Sequence, residues 1–174
     1  MNRLVVLLGA GGSIAALIVS CSSRPNTRIG TYDSRAIAIA FGNSNEGMEF
    51  VANLHAEMTK ARVAKNDSLI QHIEKTAETY QILSHLRAFS VGSVAEILEK
   101  HKAEVDLVAK EAGVQAIVSK HELIYMNAGV DTVDITLPLV RIFNASERAL
   151  KWISDMPKHE PLPMLDVLLI PTEE

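Results

Sequence analysis

Cysteine occurs once in the 174 residues, at Cys21. A lone thiol excludes an internal disulfide, so the fold must hold by its packed core. No run rich in Lys and Arg exists, and the 17 basic residues are outnumbered by 21 acidic ones. That balance leaves nucleic acid binding without an electrostatic footprint. There is no internal repeat and no low-complexity segment beyond a short Ser/Pro/Asn stretch after Cys21. No two of the six histidines, His55, His72, His85, His101, His121 and His159, stand at the i, i+3 or i, i+4 spacing. The spacing that helical metal sites favour is therefore missing.

The one long apolar run lies at the start. Arg3 supplies a positive charge, residues 4–19 are almost wholly apolar, and Ser20-Cys21 is followed by the polar run Ser22-Ser23-Arg24-Pro25-Asn26-Thr27. This is the order of a secretory signal: charged start, apolar middle, small residue before the cut. A cysteine directly after the small residue resembles the lipobox of bacterial lipoproteins. The resemblance implies that the Cys21 thiol carries lipid and becomes the mature N-terminus outside the cytoplasm. Lipoproteins carry several acyl chains, enough for stable anchoring where one chain is marginal. The implied location is the periplasm, anchored to the envelope. Ser22 is not the Asp that retains some lipoproteins at the inner membrane, which favours the outer one.

Three other readings compete for the leader. A membrane span needs about 20 apolar residues, and residues 4–19 fall short while containing Gly9, Gly11, Gly12 and Ser13. A dinucleotide fingerprint would use Gly9-Ala10-Gly11-Gly12, with Asp33 as the ribose-binding acid, but Ile14 holds the third glycine position. A long helical stretch after Asp33 also departs from a strand-helix-strand unit. A catalytic thiol at Cys21 would need a base and an orienting group around it, and the sequence suggests neither.

Division follows from this: residues 1–20 a lipoprotein-type signal peptide, 21–27 a tether, and 28–174 one α+β domain with a helical region at 46–112. Removing the leader leaves 154 residues, which suits a single domain with a real core. It leaves 16 basic against 21 acidic residues, a net −5.

Residues 29–32 read as a strand, with 36–41 a helical turn or an extension of it. From Glu46 to about Lys65, Val51, Leu54, Met58 and Ala61 recur at steps of three and four, marking one helix face. Asn66-Asp67-Ser68 is a stop and restart, and Leu69, Ile73, Ala77, Tyr80 and Leu83 form a second stripe. Two such helices joined by a short polar turn predict an antiparallel hairpin. Ser93-Val94-Ala95-Glu96 has the form of a capping box, opening a third helix whose apolar face runs from Val94 to Ala112 and stops at Gly113. Residues 114–119 and 123–126 read as two strands pairing as a hairpin across Lys120-His121-Glu122. Residues 133–136 lead into a helix capped by Thr136, Ser146 starts another through Asp155, and residues 165–170 form an apolar strand or a docked tail.

Strand, helical hairpin, two strands and a terminal helix, in that order, resemble the Skp/OmpH family of periplasmic chaperones. The residues that carry the likeness are Arg28-Ile-Gly-Thr-Tyr-Asp-Ser-Arg35, then the stretch from Val114 to Thr136 with its Val133-Asp-Ile-Thr136 ending. The resemblance implies a small β-sheet body with an inserted long helical hairpin and C-terminal helices. It implies strands that assemble a trimer, arms that surround unfolded outer-membrane proteins, and no catalysis or cofactor. This chain departs in several respects. Its arms are short, and residues 46–112 hold 8 basic and 11 acidic residues where family arms are basic. A third helix is folded in, and residues 146–174 have no counterpart. The expectation is a lipid-anchored holdase for unfolded outer-membrane or periplasmic proteins. The alternative is a non-catalytic anchored scaffold or interaction module. Homo-oligomerisation is open in both.

No catalytic, cofactor-binding or metal-binding residue is assigned; Cys21 is the single modification site. His101 lies on an apolar helix face and reads as a core histidine satisfied by one hydrogen bond. Asp131 and Asp134 are explained by loop turns and helix capping. Lys120-His121-Glu122 contains acid-base types but reads as a polar turn; a deep polar pocket there or at His101 would favour a small-molecule-binding or hydrolytic domain.

Overall fold

The computed structural model describes residues 27–170. The expected signal peptide, Cys21 and nearly all of the tether lie outside the described residues. The chain is an α+β fold: a three-stranded sheet ordered β2-β1-β3, with helices inserted between β1 and β2 and following β3.

Strand β1 (Arg28–Tyr32) is central and parallel to both neighbours, β2 (Ala116–Ser119) and β3 (Asp131–Asp134). Gly30 stands opposite Ile117 on one side and Val133 on the other. The ladder continues past the strand ends: Gln115 N–H donates to Arg28 O, Lys120 N–H to Tyr32 O, and Ile135 N–H to Thr31 O. A side chain at Gly30 would run into Ile135 Cδ1, 2.7 Å from an ideal Cβ.

The expected antiparallel hairpin of residues 114–126 does not form. Residues 123–126 form no strand and pair with none, with Ile124 99% and Tyr125 80% exposed. The reason is topological. The segment between β2 and β3 passes from one edge of the sheet to the other, so that β3 enters parallel to β1. Such crossovers usually take about a dozen residues or more and often a helix; here residues 120–130 make it without one. The β-forming character of 123–126 is local, and the tertiary path overrides it.

Helix α1 (Ser34–Gly42) follows β1 directly, resolving residues 36–41 as helix. It is the hub of the body, packing against the helices on either side, and Ile37 and Ala40 are fully covered. The core gathers Ile37, Val94, Ile135, Leu139 and Val140, all nearly inaccessible. Phe41 meets Phe143 edge-on, ring centroids 6.0 Å apart.

The helical hairpin is α2 (Asn45–Val63) and α3 (Asp67–Phe89). Ser44 Oγ accepts from Gly47 N–H at the start of α2, and Asn66 Oδ1 accepts from Leu69 N–H at the start of α3, as the polar turn suggested. Gly47 sits so close to the Phe41 carbonyl that any Cβ would collide with backbone. This close approach lets α2 turn back sharply from α1.

The third predicted helix is broken in two, α4 (Ala95–Lys100) and α5 (Lys102–Ala112), with His101 at the break. The capping box is also not made. Ser93 Oγ accepts from Ala95 N–H, but Glu96 turns to Arg87 instead of back to the serine. Gly113 does end α5, at φ +65°, a conformation glycine adopts without steric cost.

Thr136 opens α6 (Thr136–Arg141), but its N–H is capped by Asp134 Oδ1, and its own hydroxyl faces β1. Ser146 caps α7 (Glu147–Asp155) as expected. The apolar tail is a docked short helix, α8 (Met164–Leu168), held by Leu162 N–H to Phe89 O and Ser90 Oγ–H to Leu162 O.

Truncating the fully buried Ile37 to Ala removes packing at the hub and should cost about 2–5 kcal/mol, seen as a lower urea midpoint. Gly47→Ala should lower the midpoint too, and detach the hairpin from α1, seen as faster amide exchange in α2.

Candidate functional site

Two features stand out, a polar cluster at the C-terminal ends of β1 and β2 and an apolar groove at the base of the hairpin. Parallel strands ending beside a helix start are where open α/β sheets often place ligands, so the cluster comes first.

Asp33 follows β1 and caps α1, accepting from Arg35 N–H at 3.1 Å. Its carboxylate is almost inaccessible and meets three side chains. Arg35 donates through Nε to Oδ1 at 3.0 Å and through Nη2 to Oδ2 at 2.8 Å, a two-pronged grip. Lys120 Nζ lies 2.9 Å from Oδ2, and His121 Nε2 lies 3.5 Å from the same oxygen. Arg35 Nη1 reaches on to His159 O, and Asp33 N–H donates to Thr136 Oγ1. One residue thus joins β1, α1, the β2 end, α6 and the segment after α7.

Burial acts to raise the Asp33 pKa, but the hydrogen bonds and positive charges of Arg35 and Lys120 overcome it and hold the carboxyl well below the usual carboxylate range. A carboxylate held so firmly ionised is a poor proton acceptor at neutral pH. Beside it the Tyr32 phenol is pushed up by burial and by the charge of Glu122. Ser34 Oγ is buried with no hydrogen-bond partner, as is His121 Nε2. Ser34, 2% exposed, has no open path for a substrate. The charges of Asp33, Arg35 and Lys120 are spent on one another, while Ser34 Oγ and His121 Nε2 stay buried without a hydrogen bond.

The sequence placed Lys120 and His121 in a polar turn, and they do lie in one. What it missed is their meeting with Asp33 and Arg35, more than 80 residues earlier. No local spacing encodes a long-range ion pair; the polar string Tyr-Asp-Ser-Arg ending a strand was the available hint. His101 has its expected single hydrogen bond, Nε2 to Glu46 Oε2 at 3.0 Å, with its ring edge-on to Phe143 at 5.0 Å. Asp134 caps α6, and Asp131 pairs with Arg28 at 3.0 Å. Neither place lines the two cavities at the base of the hairpin. Among these residues, no group of three His, Cys, Asp or Glu side chains is placed to hold a metal, and no helix is long and apolar enough to cross a membrane.

The groove has the opposite character. Ile39 and Phe41 of α1, Tyr80, Ala88 and Phe89 of α3, and Trp152 of α7 line a cavity of about 270 Å³. It continues past Phe89 and Trp152 toward Leu162 and the rim residues Lys158 and Glu160. Beside it the Phe50 and Tyr80 rings lie 4.6 Å apart, tilted by 40°, and Met48, Val51, Val63, Leu69 and Leu83 of the hairpin remain exposed. Such side chains offer apolar contact along an open surface, the requirement for holding an apolar segment of another protein.

Comparison with protein-family models, curated proteins and solved structures found no match to this chain.

Asp33→Asn would leave the Arg35 charge facing an amide that cannot neutralise it, and breaking a buried pair typically costs about 3–5 kcal/mol. Because the folded pKa of Asp33 is depressed, its stabilisation is fully present above the unfolded value of about 3.9 and is lost as pH falls below it toward the folded pKa. Urea midpoints measured from pH 6 down to pH 2.5 should fall less steeply in Asp33→Asn than in the parent; equal acid slopes would mean the pair is not linked to folding.

Proposed function

We propose that this chain is a non-catalytic protein of the bacterial envelope, lipid-anchored through Cys21, that holds unfolded outer-membrane or periplasmic proteins by their apolar segments. The observation carrying the reading is the hairpin. At 1.5 Å per residue its 19- and 23-residue helices reach roughly 28 and 34 Å, yet α2 buries only Gly47 and Ala61, and α3 only Ile73. Helices of that length with so little buried contribute little to their own body's core. Their exposed apolar side chains lead down to the groove at Phe89 and Trp152. The resemblance to Skp/OmpH chaperones supports the same reading, as does a long hairpin inserted, with three further helices, between the first strand and the last two.

A second reading, an anchored scaffold without client binding, draws on a specific observation. The base of α3 packs on α1, and α8 packs on α3, so the arms do not stand wholly clear of the body. The acidic balance of residues 46–112 favours it too.

The test is dilution of a urea-unfolded β-barrel membrane protein into buffer with the chain in equimolar amount. Light scattering should fall, and the double variant Phe50→Ser/Phe89→Ser, altered at two half-exposed rings, should lose most of that protection while keeping its circular dichroism. Absence of protection by the parent protein, whether it runs as a monomer or a trimer, would sink the holdase reading and leave the scaffold.

A further inference from the structure

The end of the described chain carries an apolar face that the core does not use. Residues 162–170 read Leu-Pro-Met-Leu-Asp-Val-Leu-Leu-Ile, with Asp166 the one charge. Val167 alone is buried in this run, and it seats α8 on the body. Leu162 N–H donates to Phe89 O and the Ser90 hydroxyl donates to Leu162 O, holding the run in place. Leu162, Met164, Leu165, Leu168, Leu169 and Ile170 are left in water, Leu165 66% and Leu169 72% exposed. Apolar side chains fixed outward in one short run mark an interaction surface. The run adjoins Trp152, which shares the groove with Leu162 and Lys158, and Arg148 lies over the Trp152 ring at 4.6 Å.

We propose that this face rests on the membrane surface, with the leucines of α8 in the headgroup boundary and Trp152, Arg148 and Lys158 beside them at the level of the phosphates. Aromatic rings next to cations suit that boundary, where one end of the side chain meets hydrocarbon and the other meets polar headgroups. Lys158 is paired with Asp155 at 2.7 Å, so most of the attraction is apolar.

The proposal rests on the lipid-anchor reading, because that reading supplies the bilayer. Five residues separate Cys21 from Thr27, where the described chain begins; the six steps between them span no more than about 22 Å at full extension. An anchored domain is therefore held within about its own diameter of the lipid, and a contact too weak to recruit membrane from solution becomes favourable at such an effective concentration. A client or a second copy has no comparable reason to be always at hand. The outer length of the hairpin remains available to clients, while proximity to the bilayer falls on α8 and the Trp152 end of the groove.

Trp152 is the sole tryptophan of the chain, so its emission reports on this face alone. The full chain is purified with its lipid and reconstituted into vesicles of phosphatidylethanolamine and phosphatidylglycerol, with and without brominated acyl chains. Brominated lipid should quench Trp152 about twofold, and Leu165→Glu/Leu168→Glu/Leu169→Glu, changed at exposed positions, should abolish the quenching with unchanged circular dichroism. Equal quenching in parent and triple variant, or none in either, would overturn the proposal. So would a concentration-dependent dimer in detergent-free solution that the triple variant loses, because the face would then belong to a second copy. Mass spectrometry of Cys21 separates the two readings: a free thiol defeats the anchor, and the same quenching measured with added vesicles then decides the membrane face by itself.

Discussion

The Asp33 carboxylate is the point on which the body depends. It sits at the end of the central strand, caps the helix that follows, and is gripped by Arg35 and Lys120 from two directions. Through Arg35 it also holds the His159 carbonyl, and through its own N–H it holds Thr136. Buried ions are costly unless every charge finds a partner. Here the cost is offset only when β1, β2, α6 and the segment after α7 are all in place. The cluster thereby selects one arrangement of elements that a sheet of four- and five-residue strands would specify weakly by itself.

From this fixed end, α1 carries the order outward. Its buried face closes the core with Val94, Ile135, Leu139 and Val140, and the close passage of Gly47 against Phe41 turns the chain into the hairpin. His101 ties the start of α2 to the α4–α5 break through Glu46, and Arg87 ties α3 to α4 through Glu96. The hairpin is thus rooted at its base by polar bonds and by α1, while most of its length faces solvent. The polar cluster orders the fold and reaches the groove at the hairpin base through Arg35 and His159, while apolar side chains along the hairpin stay exposed.

Much was legible locally. The stripes of residues 51–61 and 69–83, the turn at Asn66, the stop at Gly113 and the cap at Ser146 all depend on side chains within a few residues of one another, and all appear where periodicity and capping chemistry put them. The readings that failed needed distant information. Residues 123–126 look like a strand because Leu, Ile, Tyr and Met suit one, but a strand exists only with a partner, and the path to β3 leaves them none. Glu96 looks like half of a capping box, but Arg87 offers it a full charge instead of a backbone amide.

The sequence by itself determined the two long helices of the hairpin, the caps at Asn66 and Ser146, the stop at Gly113, the absence of any internal disulfide and an apolar run at residues 4–19, because each is written in neighbouring residues. Only the tertiary structure decided that the sheet is parallel, that the third helix breaks at His101, and that Asp33, Arg35, Lys120 and His121 meet. Contacts between residues some 90 positions apart are settled by how the chain closes on itself, and that closure is governed by burial and charge pairing across the whole body rather than by any local pattern.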